Sequence, residues 1–484
     1  MKVRRYRRTA VPTRAELHMM NRFSAGFSTA TWKQMQRAGS PAAWFEQQLR
    51  PGGIRESAKA KAVLDWYPRL ADSPERKWAN HTSGKKKLWT YPRDMENLSI
   101  LRRVHTRRQV REVMVDFWAN HLHVSSGNDW ASVARWHYEE TLRKHALGRF
   151  TDLLAAATLH PAMLIYLDNY RTTRDNPNEN HGRELLELHT VGTGTGFTEQ
   201  MVKDSATILS GWTVDAQATW QRLYDPGRHT TGRVSVLGFT DPNAAADGRD
   251  LTHRYLDFLA RHPATARTIA RRLAVRFVDD EPGEPLIAHL ADTYLANDTS
   301  IAAVLRALVQ RPEFKRAFRT KVRTPVEDLV ATLRVLRVAA RPPGGDEQAF
   351  ANTIGWSHGG AALYSWPRPD GAPETNDAYA GASRLMASFQ SHWGLAGGWW
   401  PKKAVRYRAP KSFFPKDTIR ADLLVDHLCR VLHGSVATPT LLAAALEATD
   451  LSPGEKVTRS GPVGSWLGVR LIGALLDTPE HMTR

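Results

Sequence analysis

The stretch NENHGRELLELHTVG, Asn178 to Gly192, gathers two amides, an Arg, three carboxylates and two His around a set of leucines. Such residue types serve a metal site, an acid/base pair, or a salt-bridged helix face. Spacing separates these chemistries. On a helix, at about 100° per residue, Asn180, Arg183, Glu184 and Glu187 share one face. Leu185, Leu186 and His189 fall roughly opposite, with Leu188 at the flank. A zinc or iron helix needs ligand pairs at i, i+3 or i, i+4. Glu184 to His189 is i+5 and Glu187 to His189 is i+2, so a one-helix metal site is disfavoured and His189 is expected among the leucines. Arg183 can pair with Glu187 at i+4. Asn178 and Asn180 suit a helix N-terminus better than its interior. The preceding YLDNYRTTRDNP delivers Asp168 and Asn169 just before that terminus. An acidic and amide cluster beside an Arg could hold a polar substrate group.

A second constellation is DFWANHLHVSSG. His121 continues the stripe of Val110, Val113, Met114, Phe117 and Trp118, spaced i, i+3, i+4, i+7, i+8, and should point with them into the core. Asn120 and His123 flank it. His121 and His123 share a face only if the chain turns extended there. His121, His123 and His189 could still form a three-His site across helices with a carboxylate added. A divalent metal is therefore admitted, and no organic cofactor is indicated. A phosphate-binding loop, GxGxxG and a CxxC pair are all absent. GTGTGF follows a helix and reads as a cap and loop. GWSHGG is not the hydrolase elbow, which leaves Ser357 a weak nucleophile. Trp356, Trp366, Trp393, Trp399 and Trp400 lie in an irregular stretch, where aromatic rings either stack on sugars or seal loops to the core. Trp212, in TILSGWTV, is placed with the substrate binders.

These residues need elements to position them, and the pattern is helical. RAELHMMNRFSAGF, PAAWFEQQL, and two helices broken at His160–Pro161 carry start signals or apolar period. TEQMVKDSATILSGWTV opens on Thr198 as N-cap. Further helices run through TARTIARRLAVRFV, LIAHLADTYL, IAAVLRALVQRPEF, PVEDLVATLRVLRV and the chain beyond Asp417. Strand signals are scarce, and 215–248 could hold a short hairpin. The expectation is a mainly α protein: a basic tail over 1–14, one large helical domain over 15–476 and a short tail over 477–484. Irregular excursions are expected at about 51–92, 215–248 and 341–416.

With 484 residues and 42% apolar content the chain can bury a substantial core. Lys and Arg number 67 against 49 Asp and Glu, a net charge of +18. That excess attracts polyanions, although Arg is spread along the whole chain. MKVRRYRR at the N-terminus and SGKKK near Lys85 are its densest clusters. The single Cys429 excludes an internal disulfide. No apolar run approaches a membrane span of about 18 residues. The N-terminal twin arginines lack the apolar segment and cleavage site of an export signal.

FWANHLHV, LRKHALGRFTDLL, HPAMLIYLDN, NENHGRELLELHTVG, GFTEQMVKDSATILSGWTV and KVRTPVEDLVATLRVL together resemble the bacterial family called domain of unknown function 1800. NRFSAGF, LYSWPRPDGAP and RHTTGRVSVLG around His229 fit its pattern too. The resemblance runs from about Ala15 to Leu475 and rests on many ordered blocks. It implies a large, mainly helical bacterial protein, often encoded beside a sulfatase-like partner of the domain of unknown function 1501 family. Many members carry export signals, and this chain departs there, so it is expected either in the cytoplasm or exported with a partner. The family's N-x-N-x-x-R-E-L-L-E-L-H-T block maps to Asn178, Asn180, Arg183, Glu184, Glu187, His189 and Thr190, without an assigned chemistry.

Three functions follow as expectations. The first is a hydrolase-like enzyme acting on a polar polymer such as a glycan, with an anionic glycan or other polyanion among the candidate partners. Asp168, Glu184, Glu187 and His121 are its acid/base candidates; Asn120, His123, Asn169, Asn178, Asn180, Arg183, His189 and Trp212 are its binders. Glu184 and Glu187 lie less than about 6 Å apart along one helix, while glycoside hydrolysis needs carboxyls about 5–10 Å apart across the bond. Asp168 facing Glu184 is the better pair. The second is a non-catalytic scaffold for the sulfatase-like neighbour. The third, nucleic-acid binding, rests on charge alone.

Overall fold

The structure is a computed structural model that describes residues 3–127, 130–343, 363–402 and 405–484. Trp356 and Ser357 lie outside the described residues. The protein is mainly α: helices dominate, and the strands among the described residues form two-stranded antiparallel ribbons. Buried apolar side chains from Leu17 to Leu476 join one contiguous core. No helix among the described residues is long and apolar enough to cross a membrane.

The strongest pattern becomes the Gln109–His121 helix. Val110, Met114, Phe117, Trp118 and His121 are buried, and Val113 is half-buried. The Trp118 indole N–H donates to the Ala146 carbonyl at 3.0 Å, tying this helix to the following one, Ser132–His145. After His121 the backbone leaves the helix at Leu122 (φ −102°, ψ 60°), and this turn separates His123 from the stripe. The break at His160–Pro161 separates helices Phe150–Thr158 and Pro161–Tyr166. Thr198 caps Glu199–Leu209 by accepting from the Met201 amide.

The Asn178–Gly192 stretch is less regular than a single α-helix. Asn178 caps a short α-helix, Glu179–Glu184, which passes into a π-turn over Leu185–His189. The Thr190 hydroxyl donates to the Leu185 carbonyl at 2.6 Å, holding the widened turn closed at its end. Gly182 lets this segment approach the Glu199–Leu209 helix. A Cβ there would stand 2.7 Å from the Ala206 amide nitrogen.

Several segments are more ordered than sequence suggests. The 51–92 stretch holds helices Ala58–Ala62 and Pro74–Thr82, capped by Ser57 and Ser73. Two ribbons occupy the region of the expected hairpin, Trp212–Val214 with Arg222–Tyr224 and Val234–Val236 with Phe239–Asp241. Helix Ala382–Gly397 lies within the third excursion. Both chain ends, read as tails, are docked. The Tyr6 amide donates to Asp426 at 2.7 Å, and Arg5 pairs with the same carboxylate at 3.2 Å. At the other end Pro479–Met482 is helical and Arg484 is buried.

Candidate functional site

Three helices meet at one arginine. Arg276 lies in the last turn of Pro263–Phe277, and its guanidinium is buried. It binds Asp116 of the Gln109–His121 helix at 2.8 Å and Glu327 of the Pro325–Val335 helix at 3.0 Å. It also binds Glu374, in the loop before the Ala382–Gly397 helix, at 2.7 Å. Burial alone would lower its pKa, but Glu374, Glu327 and Asp116 hold it well above its ordinary range. Each carboxylate has a second cation: Arg103 for Asp116 at 2.8 Å and Arg484 for Glu327 at 3.1 Å, with Arg484 also 3.9 Å from Glu374. Burial would raise the Glu327 carboxyl, but Arg484 and Arg276 overcome it and hold the pKa down at about 2.

Above this ionic floor is a cavity of about 340 Å³. Tyr364, Trp366 and Tyr379 contribute aromatic rings to its wall, beside Asn120, His123 and Arg384. The 371–374 loop closes it. Asn120 holds that loop like a strand partner: its side-chain amide donates to the Ala372 carbonyl at 2.8 Å, and its oxygen accepts the Ala372 amide at 2.7 Å. Gly371 adopts φ +74°, and a Cβ there would collide with the Asn120 carbonyl. The Tyr379 hydroxyl donates to the Pro373 carbonyl at 2.8 Å. Aromatic rings over a fixed polar floor suit a ligand with apolar faces and hydroxyl edges.

Trp366 links this cavity to a second group of side chains. Its carbonyl lies 2.9 Å from His123 Nε2, and its indole N–H donates to Asp370 at 3.0 Å. Asp370 also pairs with Arg368 at 3.0 Å. Near Asp370 stands Glu184, half-buried and without a side-chain hydrogen-bond partner among the described residues. Burial first, then the charges of Glu187 and Asp370, push its carboxyl up, against the opposing pull of Arg183. The Tyr166 hydroxyl is buried with no hydrogen-bond partner among the described residues. Burial, Glu184 and Asp370 push its pKa up to about 12. Arg272 makes no ion pair among the described residues; burial lowers its pKa, opposed by Glu374 and Asp370.

The sequence-derived candidates divide accordingly. Asn120 and His123 line the cavity, and Glu184 belongs to the adjoining group. Asp168 does not face Glu184. Its left-handed backbone (φ 57°) places its half-exposed carboxylate 3.5 Å from Arg171. Arg183 pairs with Glu199 at 2.6 Å, and with Glu187 and Glu179 at 3.6 and 3.7 Å, as an outward ionic face. Asn178 and Asn180 brace the helix start by donating to the carbonyls of Asp168 and Leu167. Asn169 donates to the Leu209 and Trp212 carbonyls from a buried position. Trp212 is buried and donates to the Thr252 hydroxyl at 3.1 Å.

The His residues do not form the three-His site. His121 Nε2 contacts the His189 carbonyl at 3.1 Å, not its ring. Burial, Arg272 and His189 keep His121 neutral, while burial and His181 lower His189 to about 3. His123 falls to about 4 by burial. Metal-type clustering among the described residues lies elsewhere, at Asp328, His392 and His481.

Sequence reasoning missed Asp116, Arg276 and Glu374. Their signal was faint: Asp116 sits beside the Phe117–Trp118 pair, and Glu374 follows the WPRPDGAP block. Arg276, in ARRLAVRFV, resembles every other arginine of a basic chain.

A family model described as "Protein of unknown function (DUF1800)" matches residues 18–483. The chain belongs to this family. No curated protein and no solved structure matches it.

Proposed function

We propose that this DUF1800 family member is a hydrolase-like enzyme acting on a polar polymer of the glycan class. The Trp366–Tyr379 cavity would hold a sugar unit, and the acid/base pair is Glu184 with Asp370. The observation that carries this reading is Glu184: a half-buried carboxyl with no hydrogen-bond partner among the described residues, its pKa raised by burial and by the Glu187 and Asp370 charges, the latter from a different segment. A general acid needs that environment. Asp370 accepts the Trp366 indole N–H and pairs with the Arg368 guanidinium. In hydrolysis Glu184 would give its proton to the departing glycosidic oxygen. Asp370 would take a proton from the attacking water, whose oxygen forms the new bond to the anomeric carbon. Asp370 thus replaces the Asp168 expected from sequence.

The test is release of reducing ends from neutral, uronic-acid and sulfated polysaccharides. Glu184→Gln and Asp370→Asn should each lower the rate by about 10²–10⁴-fold, and Trp366→Ala should raise KM. No release from any substrate, or an unchanged rate in Glu184→Gln, overturns the proposal.

One surface favours a second reading, a non-catalytic partner of a sulfatase-like protein. Trp393 and Trp399 are exposed side chains lining an open groove with Phe389 and Trp400, and Met386 is exposed on the same helix, Ala382–Gly397. Exposed aromatics at this density suit a protein interface. Co-purification with the neighbouring sulfatase-like protein, abolished by Trp399→Ala, tests it.

A further inference from the structure

Away from the cavity, four residues remote in sequence converge in the core. Asp328 occupies the first turn of Pro325–Val335, His392 lies in Ala382–Gly397, His481 lies in Pro479–Met482, and Asp477 ends the Trp466–Leu476 helix. Asp328 Oδ1 is 3.3 Å from His392 Nε2 and 3.5 Å from His481 Nε2, and all three side chains are buried. The three atoms lie within 4.8 Å of one another. Ligands about 2.0–2.1 Å from a tetrahedral ion stand about 3.3–3.4 Å apart. The two measured edges are close to that value before any ion draws them in.

The surroundings are ordered as a ligand set requires. Asp477 Oδ1 is 2.7 Å from His392 Nδ1, so this nitrogen carries the proton shared with the carboxylate and Nε2 turns toward the centre. The second oxygen of Asp328 accepts the Ser388 hydroxyl at 2.7 Å and sits 3.3 Å from Arg384, which leaves Oδ1 for the centre. The Thr332 hydroxyl lies 2.8 Å from His481 Nε2 and offers a further oxygen beside the set. The two imidazoles meet edge to face, at 78°.

We propose that Asp328, His392 and His481 form a structural site for a divalent transition cation of the zinc class, with Thr332 at the fourth position and Asp477 orienting His392. Two imidazole nitrogens and a carboxylate oxygen select such ions over calcium or magnesium, which take oxygen donors. Complete burial suits a structural ion rather than one open to substrate. The ion would pin the start of the Pro325–Val335 helix to two C-terminal helices. Glu327, the residue before Asp328, belongs to the ionic floor of the cavity. The competing arrangement is metal-free: a proton on His392 between two carboxylates and a Thr332–His481 hydrogen bond.

The full-length protein is stripped with chelator, reloaded with Zn²⁺ or Co²⁺ and desalted. Bound metal is then counted by mass spectrometry. One equivalent is expected, with a four-coordinate Co²⁺ visible spectrum and a higher thermal midpoint with Zn²⁺. Asp328→Asn and His481→Gln should lose the equivalent, while Asp477→Asn weakens affinity about 10–100-fold. Absence of retained metal in the wild type, an octahedral Co²⁺ spectrum, or full occupancy in Asp328→Asn and His481→Gln overturns the site. If either variant fails to fold, the wild-type spectrum and the Asp477→Asn affinity decide, and an affinity unchanged in Asp477→Asn counts against it.

Discussion

Replacing Arg276 by Met removes the cation from the centre of the cavity floor while keeping most of its volume. Breaking a buried ion pair by deleting one partner destabilises by about 3–5 kcal/mol, because the other charge stays buried. Here three carboxylates lose a partner at once, but each keeps some compensation. Asp116 keeps Arg103, Glu327 keeps Arg484, and Glu374 keeps the more distant Arg484 and the Asn120 amide at 3.4 Å. The expected loss at pH 7 is therefore near the lower end, about 3 kcal/mol. The sign with pH is fixed by Glu327. Its folded pKa, about 2, lies below the unfolded value near 4.5, so its contribution is complete above pH 4.5 and is lost as pH falls toward 2. Without Arg276 the folded carboxyl titrates at higher pH, and the contribution that acid removes from the wild type is already smaller in the variant. The deficit should narrow by about 1 kcal/mol at pH 3.5 from Glu327 alone. Urea unfolding at pH 7 and pH 3.5, read by tryptophan fluorescence, measures both quantities. A deficit below about 1 kcal/mol at pH 7, or one that widens on acidification, refutes the assignment of Arg276 as the keystone of the floor.

Two further outcomes follow from single side chains. Burial raises the Glu96 carboxyl to about 7, so the folded state holds an extra proton between pH 4.5 and 7 and stability falls as pH rises through that window. Glu96→Gln keeps an acceptor for the Leu363 amide, now 2.7 Å away, and should exceed wild-type stability by about 2–3 kcal/mol at pH 8 while matching it near pH 4.5; equal urea midpoints at both pH values would contradict this. Gly371→Ala should lower the thermal midpoint by about 2–4 °C and speed hydrogen exchange at the Ala372 amide, through left-handed strain and collision with the Asn120 carbonyl. Unaltered exchange there would mean that Asn120 does not hold the loop.

Local rules carried the reading of this sequence where a local cause shaped the structure. The Val110–Trp118 stripe, the Pro161 break and the Thr198 cap are each decided within a few residues, and each was legible. The Leu185–His189 π-turn was not, although helical phase still separated the exposed Arg183 from the buried His189. It is braced by one hydroxyl, Thr190, reaching back five residues, a contact no local rule announces. The 51–92 helices lack apolar period, yet Ser57, and Ser73 before Pro74, were readable start signals.

The candidate site was legible only where one of its residues also belonged to a pattern. Asn120 and His123 came from the end of a strong helix, and Glu184 from a charged helix face. Asp168 was paired with Glu184 because it is near in sequence, but one residue of left-handed backbone sends it to Arg171 instead. Asp370, which takes that place, lies beyond any periodic relation to Glu184. The ionic floor shows the same limit more sharply. A chain of net charge +18 invites the view that arginines are solvated, and Arg183, Arg249 and Arg254 fit it. Arg135, Arg276 and Arg484 are buried. A guanidinium enters a core only where carboxylates, carbonyls or aromatic faces meet it. For Arg276 those groups come from Asp116, Glu327 and Glu374, on three separate segments. Burial of an arginine is thus a property of tertiary assembly, and the ionic floor built on it has no signature in any single stretch of sequence.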